Sequence, residues 1–263
     1  MKRIWVEAIA PQGSWVDPDP QEMHHLIRVR RVSEGETVEL IDGAGGLAQG
    51  LVHLLGKQRL RIKVTERLEQ ERESRLHLDL VLAIPSHAAT IDLVLPGLVQ
   101  LGVRRIFLTP TAYSGHLKKD RGKYLSRLRQ IGIQALKQSG RLVLPTIHLD
   151  SAWDDLCGHM AQTNQVNILF HPRPGFSQNH GSPAHGSPAQ GSPAQGSPAR
   201  DLPAQPSTMG IFIGPEGGFT EDEVSRAEGA GICVRGLGSR ILKLETAAIG
   251  ACFWAQKQFG DLC

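Results

Sequence analysis

The sequence predicts an α/β protein of two domains, a small β-barrel followed by a mostly parallel sheet, and three observations carry that prediction. The chain has 263 residues, well beyond the roughly 150 of one typical domain. Up to about residue 70 its apolar residues fall in short runs divided by turn residues, whereas beyond residue 74 strands alternate with helical periods. Two glycine-bearing strand-turn-helix junctions then follow, near residues 216 and 240, of the kind with which open α/β sheets hold ligands.

In the first part, residues 2–8 alternate loosely as a strand, and 21–29 read as a helix after the Asp17-Pro18-Asp19-Pro20 breaker. Residues 37–41 form a strand entering the turn at 42–46, and 47–55 and 60–67 supply two more. A barrel is the natural way to protect the edges of so few strands. The polar stretch 69–75 reads as a linker, so the domains are expected at 1–74 and 75–263.

Beyond the linker, 76–84 is a near-continuous apolar strand, 91–101 a helix, 105–109 a strand and 119–139 a helix. Tyr124, Leu128, Ile131 and Ala135 repeat along that last helix at helical spacing and form its buried stripe. Strands are expected at 166–171, 209–214 and 232–237, and helices at 221–230 and 245–259. Strands that alternate with helices in this way call for a mostly parallel sheet covered on both faces. The exception is 173–208. Within it the pentad G-S-P-A-[HQ] repeats over 181–199, where sixteen of nineteen residues are Gly, Ser, Pro or Ala. Such a composition cannot repay ordering entropy, so the segment reads as a mobile insertion.

Composition excludes several classes. Hydrophobic residues make up 40% and charged residues 21%, enough for a sizeable core and unlike a disordered or fibrous chain. No apolar run approaches the roughly 20 residues of a membrane span. Glu7 interrupts the amino terminus where a secretion signal would stay apolar, so a cytoplasmic location is expected. Cys157, Cys233, Cys252 and Cys263 show no paired spacing, which speaks against a zinc ribbon or a disulfide framework, and no metal site is expected. The net charge is only +3, yet ten basic residues lie between Val103 and Thr146 with Asp120 as the one acid. A surface that meets polyanions explains that surplus, and a solvated helix face is the alternative.

The chemistry concentrates in the two glycine junctions. In the first, residues 211–223 (IFIGPEGGFTEDE) take an apolar strand into a turn with three glycines, and Thr220 with Glu223 makes a capping box for the next helix. In the second, residues 237–248 (LGSRILKLETAA) repeat the scheme and place Arg240, Lys243 and Glu245 among apolar neighbours. Neither junction has the spacing of a P-loop or a dinucleotide fingerprint.

Together these segments resemble the RsmE family of 16S ribosomal RNA uridine-N3 methyltransferases. The likeness extends to HHLIRVRRVSEGETVELIDGAGG from residue 24, LGV at 101–103, KQSGR at 137–141, FHPRP at 170–174 and FGDL at 259–262. It spans nearly the whole chain outside the pentad insertion. The resemblance implies a PUA-like amino-terminal barrel, a SPOUT-type α/β domain with a carboxyl-terminal trefoil knot, a homodimer, S-adenosylmethionine as methyl donor and 16S rRNA in the small subunit as substrate. By position, the cofactor would meet Leu169, Phe170, Gly214, Pro215, Gly217, Leu237, Gly238, Ser239, Ile241 and Leu242. Ser239, Lys243 and Leu244 replace the family's usual Pro, Arg and Thr, and Gly97 and Gln100 stand where the family carries a Lys and a Glu. Those departures leave a second reading open, a ribosome-associated RNA-binding protein of the same fold with lost or reduced turnover.

Uridine N3 carries a proton and attacks a methyl group only as that proton leaves. Glu245 is the candidate for orienting the base or accepting the proton, with first-turn helix capping as its alternative role. Arg141, Arg240 and Lys243 are candidates for holding phosphate or base oxygens. Arg28, Arg30 and Arg31 on the barrel, together with Lys118, Lys119 and Arg121, are expected to bind the RNA backbone, although a solvated helix end equally explains the first three.

Overall fold

Two sheets organise the chain in the computed structural model, which describes residues 1–56, 59–117, 120–172 and 203–262. The insertion core and the pentads at 181–199, with Lys118, Lys119 and Cys263, lie outside the described residues.

The first sheet contains β1 (Lys2–Trp5), β2 (Trp15–Val16), β3 (Thr37–Ile41), β4 (Leu47–Leu54) and β5 (Leu60–Arg67) in the order β1-β3-β4-β5-β2. β1 runs parallel to β3 and the other ladders are antiparallel. Alternation sends Val38, Leu40, Val52, Ile62 and Val64 into one core, which Leu26 fills from the helical side. The expected helix over 21–29 is divided. α1 (Pro20–His24) starts where Asp19 Oδ1 accepts from Glu22 N at 2.9 Å, and a π-helical turn (His25–Val29) follows, closed by Arg30 N on His25 O at 2.9 Å. The wider turn buries Leu26 while leaving Arg28, Val29 and Arg30 outside, and Arg31 follows with φ 46°, unusual for a side-chain-bearing residue.

The second sheet has six strands, all parallel: β6 (His77–Ala83), β7 (Val103–Thr109), β8 (Thr146–Leu149), β9 (Val166–Phe170), β10 (Thr208–Ile213) and β11 (Cys233–Arg235). Their order is β11-β9-β10-β6-β7-β8. Alternate residues supply separate cores. Leu80, Leu82, Ile106, Ile168 and Ile211 face α2 (Ala89–Gln100), α3 (Arg121–Ser139) and α6 (Leu244–Phe259). Val81, Phe107, Leu169, Phe212 and Val234 face α4 (Trp153–Thr163) and α5 (Glu221–Gly229). Both faces are covered, as a parallel sheet requires. Of the stripe expected on α3, Tyr124, Leu128 and Ala135 are buried and Ile131 packs at its margin. The sequence reading placed nothing between 139 and 166, where the structure has β8 and α4. α4 still carries helical spacing in Trp153, Leu156, Cys157 and Met160.

Trp5, Ile41 and Leu47 of the first sheet belong to the larger core of the second, so the two sheets share one apolar interior. Buried polar contacts fasten the same seam. Lys137 on α3 meets Glu22 on α1 at 2.5 Å, with side-chain exposures of 4% and 7%. Arg3 bonds Glu39 and the Lys137 carbonyl, and Arg72 bonds Glu39 and the Gly140 carbonyl.

That seam corrects the charge argument. The acids missing between Val103 and Thr146 arrive from elsewhere in the fold: Arg105 pairs with Asp79, Arg121 with Asp150, Arg127 with Asp92, Arg129 with Glu7, Lys137 with Glu22 and Arg141 with Glu73. Most of the surplus is therefore neutralised in place, and a local count of basic residues overstates what this surface offers a polyanion. Arg28, Arg30, Arg31 and Arg121 remain exposed.

Candidate active site

The carboxyl end of the second sheet gathers both glycine junctions. Phe170, the last residue of β9, pairs with Ile213 of β10 on one side and Arg235 of β11 on the other. His171 N then donates to Arg235 O at 2.9 Å. The two glycine turns thus leave the sheet on strands that flank β9, about 10 Å apart at two strand spacings.

The first turn is fixed from several sides. Gly218 N donates to Pro215 O at 2.9 Å with φ 75°, a conformation that favours glycine. Phe219 is buried against Trp153, ring centroids 5.0 Å apart. The Glu223 carboxylate closes the expected capping box on Thr220 and also accepts from Ala112 N at 2.8 Å, which ties the loop after β7 to the start of α5. Glu216 Oε2 accepts from Ser86 N at 3.0 Å and Ser86 Oγ at 3.1 Å. Burial pushes the Glu216 carboxyl up, but the Ser86 bonds outweigh it and hold the group below the ordinary carboxylate range. The loops after β6, β7 and β10 are in this way bolted together at one edge.

The second turn is more open. Gly238 has φ 108° and a Cβ there would meet nothing within 4 Å. Leu237 and Leu242 are half-buried, Ser239 is exposed, and Ile241 is 89% exposed. An apolar side chain so exposed, beside open space over a glycine, leaves apolar surface and bare backbone available to form a cradle for a ligand. Gly214 half-buried, Pro215 buried and Gly217 exposed face it from the other turn's side of β9, and Phe170 stands between them, packed edge-on against Trp254 at 6.0 Å. These apolar side chains and bare glycine backbone suit an adenine ring and the aliphatic part of a sulfonium chain, so S-adenosylmethionine fits the residues present.

Two expected site residues lie elsewhere. Leu169 points into the core beneath α4 and α5, and its strand is paired on both sides, so it supports the edge without lining it. Arg141 sits at the opposite, amino-terminal end of the sheet. Its Nε and Nη2 reach Glu73 Oε2 at 2.9 and 2.6 Å, and its Nη1 donates to the Val99 and Val103 carbonyls at 2.8 and 3.0 Å. Buried and with four of its five N–H donors engaged, it holds the linker to the sheet, away from the glycine turns. Glu245 is half-buried in the first turn of α6, and Arg240 and Lys243 are exposed in the loop before it. None of these three has an ion-pair partner among the described residues. Ser86, Tyr113, His171 and Glu216 also stand at this edge and were not singled out from the sequence. Glu216 and His171 had a signal there, their places inside the quoted IGPEGGF and FHPRP runs.

Similarity to known proteins covers the whole chain. The model of an RNA methyltransferase domain matches residues 72–256, and that of an RNA methyltransferase PUA domain matches 18–65. A methyltransferase from Legionella pneumophila, solved with its bound cofactor SAM, superposes with a TM-score of 0.82 at 27% identity, covering 99% of this chain and 98% of that one. Ribosomal RNA small subunit methyltransferase E from Neisseria gonorrhoeae, bound to S-adenosyl methionine, gives 0.80 at 27% identity over 100% of both chains. The protein of the same name from Buchnera aphidicola is 24% identical over 264 residues, 98% of this chain and 94% of its own.

Proposed function

Since the chain belongs to the RNA methyltransferase family whose domain spans residues 72–256, we propose that it methylates N3 of a uridine in 16S rRNA with S-adenosylmethionine as donor. What supports this reading is that the Gly214–Gly218 and Gly236–Lys243 turns leave the sheet on the two strands that flank β9, with Arg240 and Lys243 in the second turn and Glu245 just after it. The reading includes an RNA-binding barrel at 1–74, a transferase domain at 75–263 with its insertion at 173–208, the carboxyl-terminal knot, a cytoplasmic location and a homodimer. No helix among the described residues is long and apolar enough to cross a membrane. Exposed Leu93 on α2 and Phe253 on α6 supply apolar surface for a second copy.

When bound, the cofactor supplies an electrophilic methyl group on a sulfonium. The protein's task is to hold the uridine nitrogen in line with it and to keep water out. Phe170, Leu237, Ile241 and Leu242 provide the apolar walls, and the glycine backbone of both turns provides hydrogen-bonding groups close to the ligand. Glu245, in the first turn of α6, accepts the N3 proton. Arg240 and Lys243 hold a phosphate or the uracil oxygens, whose negative charge grows as the proton leaves. Lys243 does this as a point charge, without the fork of an arginine.

Calorimetric titration with S-adenosylmethionine and mass mapping of 16S rRNA from cells lacking the gene test the reading. Saturable binding together with a missing methyl mark, restored by the wild-type gene and not by Glu245→Gln, is the expected result. Unchanged marks in the deletion strain would overturn the activity and support the non-catalytic RNA-binding reading instead.

A further inference from the structure

We infer that Tyr113 is the stacking platform for the uracil that is methylated. The inference rests on the proposed activity and adds the residue that grips the base. Tyr113 is 56% exposed. It stands on the loop after β7, which reaches across β6 to the first glycine turn. A Cβ built on Gly217 would lie 2.8 Å from Tyr113 Cβ and 3.1 Å from its Cγ, so the root of the side chain rests on bare backbone that only glycine permits.

The loop that presents the ring is rigid. Ala112 N is held by Glu223 Oε1 at 2.8 Å, Thr111 N by Ser114 Oγ at 2.9 Å, and Gly115 N donates to Ile84 O at 3.0 Å. Gly115 packs so tightly on the Pro85 carbonyl that it too has no room for a Cβ. Residues on both sides of Tyr113 are pinned, yet the ring itself faces solvent. Beyond Gly218 lies His171, whose Cε1 is 3.8 Å from where a Gly218 Cβ would be. Gly217 and Gly218 therefore form a floor between two flat side chains, in the same turn that closes on the methyl-donor cradle.

The chemistry of the target calls for such a surface. N3 lies on the pairing edge of uracil, so the base must be unpaired or extruded before it reacts, and an extruded base loses its stacking neighbours. An aromatic face replaces them without regard to sequence, and this is how single-stranded bases are commonly held. The other exposed aromatics among the described residues have different settings. Trp15 is covered by Arg61 and His53 on the first sheet, and Phe253 is on the outer side of α6.

Small subunits reconstituted with 16S rRNA containing 5-iodouridine, irradiated with the full-length protein, test this without the methyl donor. The expected crosslink maps to Tyr113 and disappears in Tyr113→Leu. In methyl transfer, Tyr113→Ala and Tyr113→Leu should lower kcat/KM by about 10- to 100-fold, the loss of one base-aromatic stack. Tyr113→Phe, which keeps the ring, recovers most of it, and S-adenosylmethionine affinity by calorimetry stays the same in all three variants. A crosslink outside residues 110–117, or a Tyr113→Leu variant that matches the wild type, overturns the inference. If the wild-type protein transfers no methyl group, the activity reading fails, while the crosslink still decides whether Tyr113 meets a uracil.

Discussion

Replacing Arg141 separates its structural position from the catalytic role its sequence context suggests. In Arg141→Ala four hydrogen bonds vanish: two to Glu73 Oε2 and one each to the Val99 and Val103 carbonyls. Glu73 keeps its bonds from Leu142 N at 2.8 Å and Val143 N at 3.1 Å but loses its countercharge. Because the Arg141 side chain is only 7% exposed, water cannot fully replace what is removed. Because Glu73 is 29% exposed and stays partly solvated, losing the charged hydrogen bonds costs about 2–3 kcal/mol, which for a chain of this size lowers Tm by roughly 5–10 °C. Urea titration followed by tryptophan fluorescence reads the stability, and methyl transfer per mole of folded protein at low temperature reads the activity. Stability should fall by that amount while turnover of the folded fraction stays near wild type. Arg141→Met combined with Glu73→Gln should recover part of the loss, since it leaves no buried charge unpaired. If Arg141→Ala keeps its unfolding midpoint and loses turnover a hundredfold, the guanidinium acts on substrate and its assignment to the seam is wrong.

Three further outcomes follow from the same geometry. Burial raises the Glu39 carboxyl, but Arg3 and Arg72 outweigh it and hold its pKa below the ordinary 4.5; its stabilisation is therefore present above that value and fades as pH falls through the lower folded pKa. Glu39→Gln should accordingly cost about 2 kcal/mol at pH 7, with the difference shrinking below pH 4 in chemical denaturation. Ser86→Ala removes both a donor to Glu216 and part of the bolt between loops, so cofactor affinity by calorimetry should weaken while the midpoint of unfolding barely moves; an unchanged affinity would disconnect that bolt from the cradle. If Arg28, Arg30 and Arg31 meet phosphates, their triple alanine variant should reduce the slope of log affinity for single-stranded RNA against log salt by about 2, and an unaltered slope would remove the barrel arginines from the interface.

Local chemistry made much of this protein legible in its letters. The continuous apolar run around Leu80 announces a strand buried on both faces, Thr220 and Glu223 spell a capping box, and the glycines near 216 and 240 mark where backbone must turn sharply or lie bare. Each of these depends on a residue and its near neighbours in sequence, so a linear reading can reach it. The fates of Arg141, Leu169 and Tyr113 depend on partners far along the chain. Whether an arginine is free for substrate rests on Glu73, 68 residues away, and which side of the sheet Leu169 faces rests on strand register. Tyr113 stands at the site because Glu223, 111 residues beyond Ala112, holds its loop there. The run of basic residues after Val103 makes the same point: composition counted the charges, and only the packed fold brought Asp79, Asp92, Glu7, Glu22 and Glu73 to meet them. Propensity and capping act over a turn of chain, whereas burial and charge pairing are settled only when distant segments share one interior.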